Sequence, residues 1–274
     1  MKTNKIKAVF KNFMKYRYLL QEIVRKNVKL QYRNSVLGMF WTFLQPLLTT
    51  IVLALVFGGI FGRNDPSVGC YMVYLLCGRL LYEFFTQSTK RAMRSVRLSA
   101  SVIKKVYVPK YIYPLSNVLA NFVTFAMSLL VLVVMVIYFK CFTDEVIVIN
   151  WHVLLAIVPI IILLILSLGV GMILATLNVF FKDIEYIYEV FCMLLFYLTP
   201  IFYTVRSLGA IKIVQYGLMA NPLYSIVSMF RDCVLYGVMW NWNHFMYALG
   251  VSLLTLVIGF AIFQKKQDKF ILHI

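Results

Sequence analysis

The feature that most constrains this chain is its alternation of long apolar runs with short blocks of lysine and arginine. Several stretches approach 20 residues with few or no charges, the length a helix needs to cross a hydrocarbon core of about 30 Å. In such a core the backbone finds no water, so each crossing segment must satisfy its own N–H and C=O groups, as an α-helix does. The reading is supported by bulk composition: 62% of the 274 residues are hydrophobic and the mean hydropathy is +0.84. A soluble domain is about half apolar, and a polar shell could not cover this much apolar surface.

The charge is a second constraint. There are 27 Lys+Arg against 10 Asp+Glu, a formal net charge of +17. The basic residues sit in blocks between apolar runs, where they report orientation and contact with anionic headgroups rather than nucleic acid. The five cysteines, Cys70, Cys77, Cys141, Cys192 and Cys233, lack metal-ligand or redox spacing. The first 36 residues are basic throughout and lack the short apolar core and cleavage site of a signal peptide.

The expected fold is an all-α integral membrane protein with six transmembrane helices. They fall at about 37–61, 68–85, 112–139, 153–180, 184–202 and 245–263. Before them, 5–30 carries Ile6, Val9, Phe10, Phe13, Tyr16, Leu20, Ile23, Val24 and Val28 at helical spacing. Lys7, Lys11 and Lys15 fall on another face, which predicts an amphipathic helix lying in the membrane plane. A solvated basic helix is the plainer alternative. Pro46 lies inside the first span and is tolerable where a neighbouring helix satisfies the backbone groups it frees. Gly169 and Gly171 in the fourth span permit close helix contact. The stretch 203–243 is too polar and too broken by Gly209, Gly217, Pro222 and Gly237 for a span, yet too apolar for a water-exposed loop. Two short re-entrant helices on the outer face, between spans five and six, reconcile the two. The chain reads as one membrane domain, with 1–36 the cytoplasmic interface helix, 37–264 the six-span region and 265–274 a cytoplasmic tail.

With six spans, the basic N-terminal segment shares a side with the 90–110 stretch (Lys90, Arg91, Arg94, Arg97, Lys104, Lys105, Lys110), Lys182 and the tail. The other side holds only Arg63, Lys140, Arg206, Lys212 and Arg231. The positive-inside rule therefore places both termini in the cytoplasm.

These pieces resemble one family over nearly the whole length: the ABC-2 type permeases that export O-antigen, capsule and teichoic-acid polymers. The block Arg25-Lys26-Asn27-Val28-Lys29-Leu30-Gln31-Tyr32-Arg33-Asn34-Ser35-Val36-Leu37-Gly38, with Trp41 and Gln45-Pro46-Leu47, is similar to the family's approach to the first span. Phe57-Gly58-Gly59-Ile60-Phe61 resembles its exit. Lys104-Lys105-Val106-Tyr107-Val108-Pro109-Lys110, then Pro114-Leu115-Ser116, resembles the loop before the third span. Asn178-Val179-Phe180-Phe181-Lys182-Asp183-Ile184 resembles the turn between the fourth and fifth. Thr199-Pro200-Ile201-Phe202-Tyr203, Asn221-Pro222-Leu223 and Phe230-Arg231 resemble the outer re-entrant segment. Each motif alone is weak; their order and spacing are specific.

The resemblance implies a homodimer in the bacterial inner or plasma membrane, with two copies of a separate ABC ATPase and a lipid-linked polysaccharide as substrate. No glycine-rich phosphate loop ending in Lys-Ser or Lys-Thr occurs here, so the chain binds no cofactor of its own and ATP and Mg belong to the partner. By resemblance the ATPase contact comprises Lys104, Lys105, Val106, Tyr107, Val108, Pro109, Lys182 and Asp183, and an outer gate Pro200, Tyr203, Asn221, Pro222 and Arg231. The alternative for the basic loop is a plain anchor on anionic lipid. Asp183 and Glu185 also suit a cap on the fifth helix. A sugar pathway favours aromatic faces, and Tyr71, Tyr74, Tyr82, Phe196 and Tyr197 are its candidates; most aromatics in such a chain pack spans or form interfacial belts. Arg79 departs from the family's apolar second span and sits four residues before Glu83, where the two pair on one helix face. Either the pair lines the pathway or it fixes packing.

Other classes find less support. Only His152, His244 and His273 are available to a lipid-active enzyme, and no nucleophile elbow or paired carboxylates appear. A gradient-driven transporter could use Arg79–Glu83 as a relay, but no internal repeat is evident. An exporter of a drug or small lipid differs only in cargo. The topology is checked by single cysteines on a background without the native five. In intact cells Arg17→Cys and Lys269→Cys should resist a membrane-impermeant maleimide, whereas Asn150→Cys should react.

Overall fold

A computed structural model describes residues 15–33, 35–60, 70–106, 108–143, 147–204 and 217–273, and among these every regular element is helical. In chain order they are α1 (Arg17–Tyr32), α2 (Trp41–Leu53), α3 (Tyr71–Leu98), α4 (Ile112–Phe142), α5 (Ile157–Phe180), α6 (Ile184–Leu198), α7 (Pro222–Val234) and α8 (Trp242–Lys266). A 3-10 turn, Gly38–Phe40, leads into α2, and a π-helical stretch, Ala54–Ile60, continues it. Single turns at Ala100–Ile103 and His152–Leu155 precede α4 and α5, and a 3-10 segment, Gln267–Leu272, closes the chain. Residues 1–14, and with them the first ten residues of the expected amphipathic helix, lie outside the described residues.

Four helical stretches are long and apolar enough to cross a membrane: Gly38–Phe57, Ile112–Phe142, His152–Phe180 and Trp242–Leu272. They match four of the six expected spans. The other two differ from expectation in instructive ways. The second was to end near Phe85 and give way to a basic loop, but α3 runs unbroken for 28 residues to Leu98 and carries Lys90, Arg91, Arg94 and Arg97 with it. No glycine or proline interrupts 79–108, and lysine and arginine are good helix formers. At 1.5 Å per residue α3 is about 42 Å long, roughly 12 Å more than one hydrocarbon thickness. The fifth, α6, has only 15 residues, about 22 Å. Its outward face leaves Tyr186, Ile187, Val190, Phe191, Leu194 and Tyr197 exposed.

The centre of the bundle is α5, which packs between α3 and α8. Both expected glycines do the work of close approach. A Cβ on Gly169 would meet the Leu256 nitrogen at 2.5 Å and the Thr255 carbonyl carbon at 2.6 Å, and one on Gly259 would collide with the Gly169 carbonyl oxygen. Here α5 and α8 cross backbone against backbone. Gly171 faces α3 instead, where an added Cβ would lie 2.9 Å from that of Ala92. Asn121, 2% exposed, joins α4 to α3 by donating to the Phe84 carbonyl (3.3 Å) and to Ser88 Oγ (2.8 Å).

Pro46 behaves as expected for a proline within a span. Lacking an N–H, it leaves the Thr42 carbonyl without its helical donor. Ser128 Oγ of α4 donates to that carbonyl at 3.1 Å. The neighbouring helix thus supplies the missing hydrogen bond.

The glycine crossing makes opposite predictions for two positions on one helix. Gly259→Leu should destabilise the detergent-purified chain by about 1–3 kcal/mol through overpacking, lowering its thermal midpoint. Gly250→Ala, with nothing within 4 Å of the new Cβ, should leave the midpoint unchanged or raise it slightly.

Candidate functional site

Three surfaces built on α3 bring together nearly all the candidate residues: a knot at its first turns, a seam along its length, and a basic end. The knot is organised by Arg231 of α7, which is 4% exposed. Its guanidinium donates to the carbonyls of Pro200 (2.7 Å), Ile201 (3.1 Å) and Tyr74 (3.0 Å from Nη2, 3.3 Å from Nε), and lies 3.4 Å from the Tyr74 ring centroid. Gly78 makes this possible: a Cβ there would stand 2.5 Å from Arg231 Nη2. Asn221 caps α7, accepting from the Leu223 N–H (3.0 Å) with Pro222 in the first turn. Its amide also donates to Thr199 Oγ1 at 3.0 Å. Tyr74 Oη donates to the Tyr203 carbonyl (2.9 Å), and Tyr203 Oη to the Tyr197 carbonyl (2.8 Å). The five residues Pro200, Tyr203, Asn221, Pro222 and Arg231 therefore converge. Residues 205–216 lie outside the described residues.

Along the seam, α6 runs antiparallel to α3 and is held to it mostly by long side chains. From the basic end upward, Glu185 accepts from Arg94 (2.8 Å) and Arg97 (3.1 Å), and Glu189 pairs with Lys90 at 3.3 Å. Tyr188 Oη and Thr89 Oγ1 share a hydrogen bond of 2.7 Å. Tyr82 Oη donates to the Cys192 carbonyl at 2.6 Å, with the Phe196 ring edge-on to its own at 5.2 Å. Tyr71 Oη donates to the Phe202 carbonyl at 2.9 Å. Three of the aromatic candidates, Tyr71, Tyr74 and Tyr82, thus commit their hydroxyls to backbone carbonyls of 192–203. Of the five, Tyr197 alone is largely exposed.

Arg79 and Glu83 pair at 3.1 Å with their side chains 18% and 22% exposed. Glu83 lines a cavity bounded by α1, α2, α3 and α4. Arg79 Nε is buried without a hydrogen-bond partner among the described residues.

The basic end collects the turn after α3, the 181–183 turn and the C-terminal segment. Beneath it lies an apolar cluster of Val96, Ile103, Tyr113, Val179, Phe263 and Phe270, with Val108 packed against it. Lys110 donates to the Gln267 carbonyl at 2.6 Å, and burial pushes its ammonium below the ordinary lysine value against the pull of Asp268. Lys104, Lys105, Val106, Lys182 and Asp183 are exposed at this end, while Val108 and Pro109 are partly covered. Tyr107 lies outside the described residues. The expected carboxylate cap on α6 is corrected: Asp183 occupies the N-cap position without a side-chain cap hydrogen bond. Glu185 instead spans to α3 and accepts from Asn178 (3.0 Å), because two arginines and a buried amide outcompete the local backbone. Sequence reasoning did not find this network, nor the part played by Gly78. The only signal was periodicity, since Arg79, Glu83, Gln87, Lys90, Arg94 and Arg97 recur at intervals of three and four along one helix.

Comparison with known proteins adds the family. The profile described as ABC-2 type transporter matches residues 18–235. The O-antigen export system permease protein RfbA of Klebsiella pneumoniae is 28% identical over 254 residues, covering 92% of this chain and 93% of that one. RfbA of Myxococcus xanthus is 28% identical over 256 residues, 93% and 95% of the two chains. The polysialic acid transport protein KpsM of Escherichia coli is 21% identical over 259 residues, 91% and 93%.

The knot and the seam should respond differently to mutation. Arg231→Met strands buried carbonyls and should cost about 3 kcal/mol, a loss Arg231→Lys does not restore because one ammonium cannot span four contacts. Glu185→Gln, at a partly exposed pair, should cost no more than about 1 kcal/mol. Thermal unfolding of the purified variants checks both.

Proposed function

The chain belongs to the ABC-2 type transporter family, and on that premise we propose that it is the membrane-spanning permease subunit of an ATP-driven exporter of lipid-linked surface polysaccharide, of O-antigen, capsule or teichoic-acid type. The observation that carries the reading is the match, over more than nine-tenths of both chains, to permeases named for O-antigen export. The similarity to a polysialic acid transport protein supports a polymer rather than a drug as cargo.

In this proposal the chain forms one domain of six spans with both termini cytoplasmic. The four long apolar stretches are joined by α3 as the second span and α6 as the fifth, and α7 is a re-entrant helix on the outer face. Two copies pair with two copies of a separate ABC ATPase, which alone carries ATP and Mg; the permease performs no catalysis. The exposed residues Lys104, Lys105 and Val106, with Lys182 and Asp183 nearby, meet the ATPase. Their footing on the cluster around Phe263 and Phe270 supports this, since a push on the basic end is delivered to α3, α5 and α8 together. The knot around Arg231 closes the outer end. Arg79–Glu83 serves packing, because the two partners neutralise each other at 3.1 Å within one helix.

The test is co-purification with the ATPase encoded beside this chain. Lys104→Glu/Val106→Asp should reduce recovery of the complex and polymer-stimulated ATP hydrolysis at least tenfold while leaving the permease itself monodisperse. Unchanged assembly would remove the coupling role, and export that survives ATP depletion would remove the ATP-driven reading.

A further inference from the structure

Beside α3 lies a cavity of about 480 Å³, walled by α1, α2 and α4 as well as α3, within the size range of small-ligand sites. None of the roles above uses it. We infer that it binds a phosphate group carried on a lipid of the basic leaflet, with Arg91 as the cation and Tyr32, Gln45 and Gln87 as neutral donors.

The charges lining the cavity single out Arg91. Glu83 is matched by Arg79 at 3.1 Å, and Lys90 by Glu189 at 3.3 Å. Arg91 has neither an ion pair nor a side-chain hydrogen bond among the described residues, and it is partly buried. A guanidinium in that position presents a fork that matches phosphate oxygens two at a time. The side chains of Tyr32, Gln45 and Gln87, on three different helices, line the same space with no hydrogen bond of their own among the described residues. They are donors without acceptors, which suits an anion with several oxygens.

Depth argues that the phosphate arrives on a lipid. Arg91 lies 20 residues from Tyr71, the first residue of α3, so about 30 Å, one hydrocarbon thickness, separates them along the helix. Trp41, an indole at the cavity wall and 41% exposed, fits the headgroup boundary. Two lipids carry the required chemistry: a bulk anionic phospholipid and the phosphorylated carrier of the proposed cargo, the second resting on the exporter reading.

Native mass spectrometry of the full-length chain in maltoside micelles distinguishes them. The probes are dioleoylphosphatidylglycerol, undecaprenyl phosphate and, lacking phosphate, dioleoylglycerol, with inorganic phosphate as competitor. Wild type should retain a phosphate lipid over dioleoylglycerol. Arg91→Gln should weaken retention on the order of tenfold, Arg91→Lys should weaken it less, and Lys265→Gln at the exposed tail should not change it. Preference for undecaprenyl phosphate identifies the carrier; equal or stronger retention of phosphatidylglycerol identifies the bulk lipid. Should Arg91→Gln not elute as a monodisperse chain, Gln45→Leu at an exposed position is read in its place. Retention of dioleoylglycerol as tight as that of the phosphate lipids, retention unaffected by Arg91→Gln and Gln45→Leu, or displacement by millimolar inorganic phosphate would overturn the site. The readout involves neither ATPase nor export, so its failure is separate from failure of the exporter reading.

Discussion

A polar group left unpaired in hydrocarbon costs several kcal/mol, and the arrangement of this bundle follows from how each such group is answered. The carbonyl freed by Pro46 is answered from another helix by Ser128. The buried Arg231 is answered by carbonyls just past the end of α6, where Pro200 and Ile201 lie outside the helical ladder and their oxygens are available. The amide of Asn121 is answered by Ser88 and a carbonyl of α3. In each case the partner lies on a different segment, so satisfying the group also fixes which helices touch and in what register.

The helices are joined in two ways. Where glycine meets backbone, as at Gly169 and Gly259, α5 and α8 lock together with no side chains between them. Along α3 and α6 the connection is made by Arg94, Arg97, Lys90, Tyr188 and Tyr82, long side chains whose ends meet carboxylates, a hydroxyl or a carbonyl. The first kind of contact is dispersion-dominated and rigid. The second is a ladder of hydrogen bonds, of which the charged rungs lie at the wet end and the tyrosine rungs at the dry end. α6 is therefore fixed to the bundle through groups that can exchange partners, and its outward face remains apolar and exposed.

Much of this was legible beforehand where the cause is local. Four long apolar stretches, the need for a donor near Pro46 and the close approach at Gly169 each depend on residues adjacent in sequence or on the nature of the membrane. The end of the second helix is less legible, because a run of lysine and arginine resembles a span boundary while leaving the helix intact to Leu98. Charge sets how deep a helix sits in the bilayer, not whether the backbone stays helical, and the absence of glycine and proline through 79–108 was the better guide.

By itself, then, the sequence determined that the chain inserts in a membrane as helices. It also marked which short motifs carry the likeness to ABC-2 permeases, and the fact that Arg79 and Glu83 share a face. Only the tertiary structure decided that Arg231 is buried against Gly78 rather than displayed outside. It decided too that Glu185 bridges to α3 instead of capping α6, and that Arg91 lines a cavity with no ion pair of its own among the described residues. The physical reason is separation along the chain. Gly78 and Arg231, or Arg97 and Glu185, are distant in sequence and meet only because helix packing brings them together. The competition between a local cap and a distant ion pair is settled by geometry that no single segment contains.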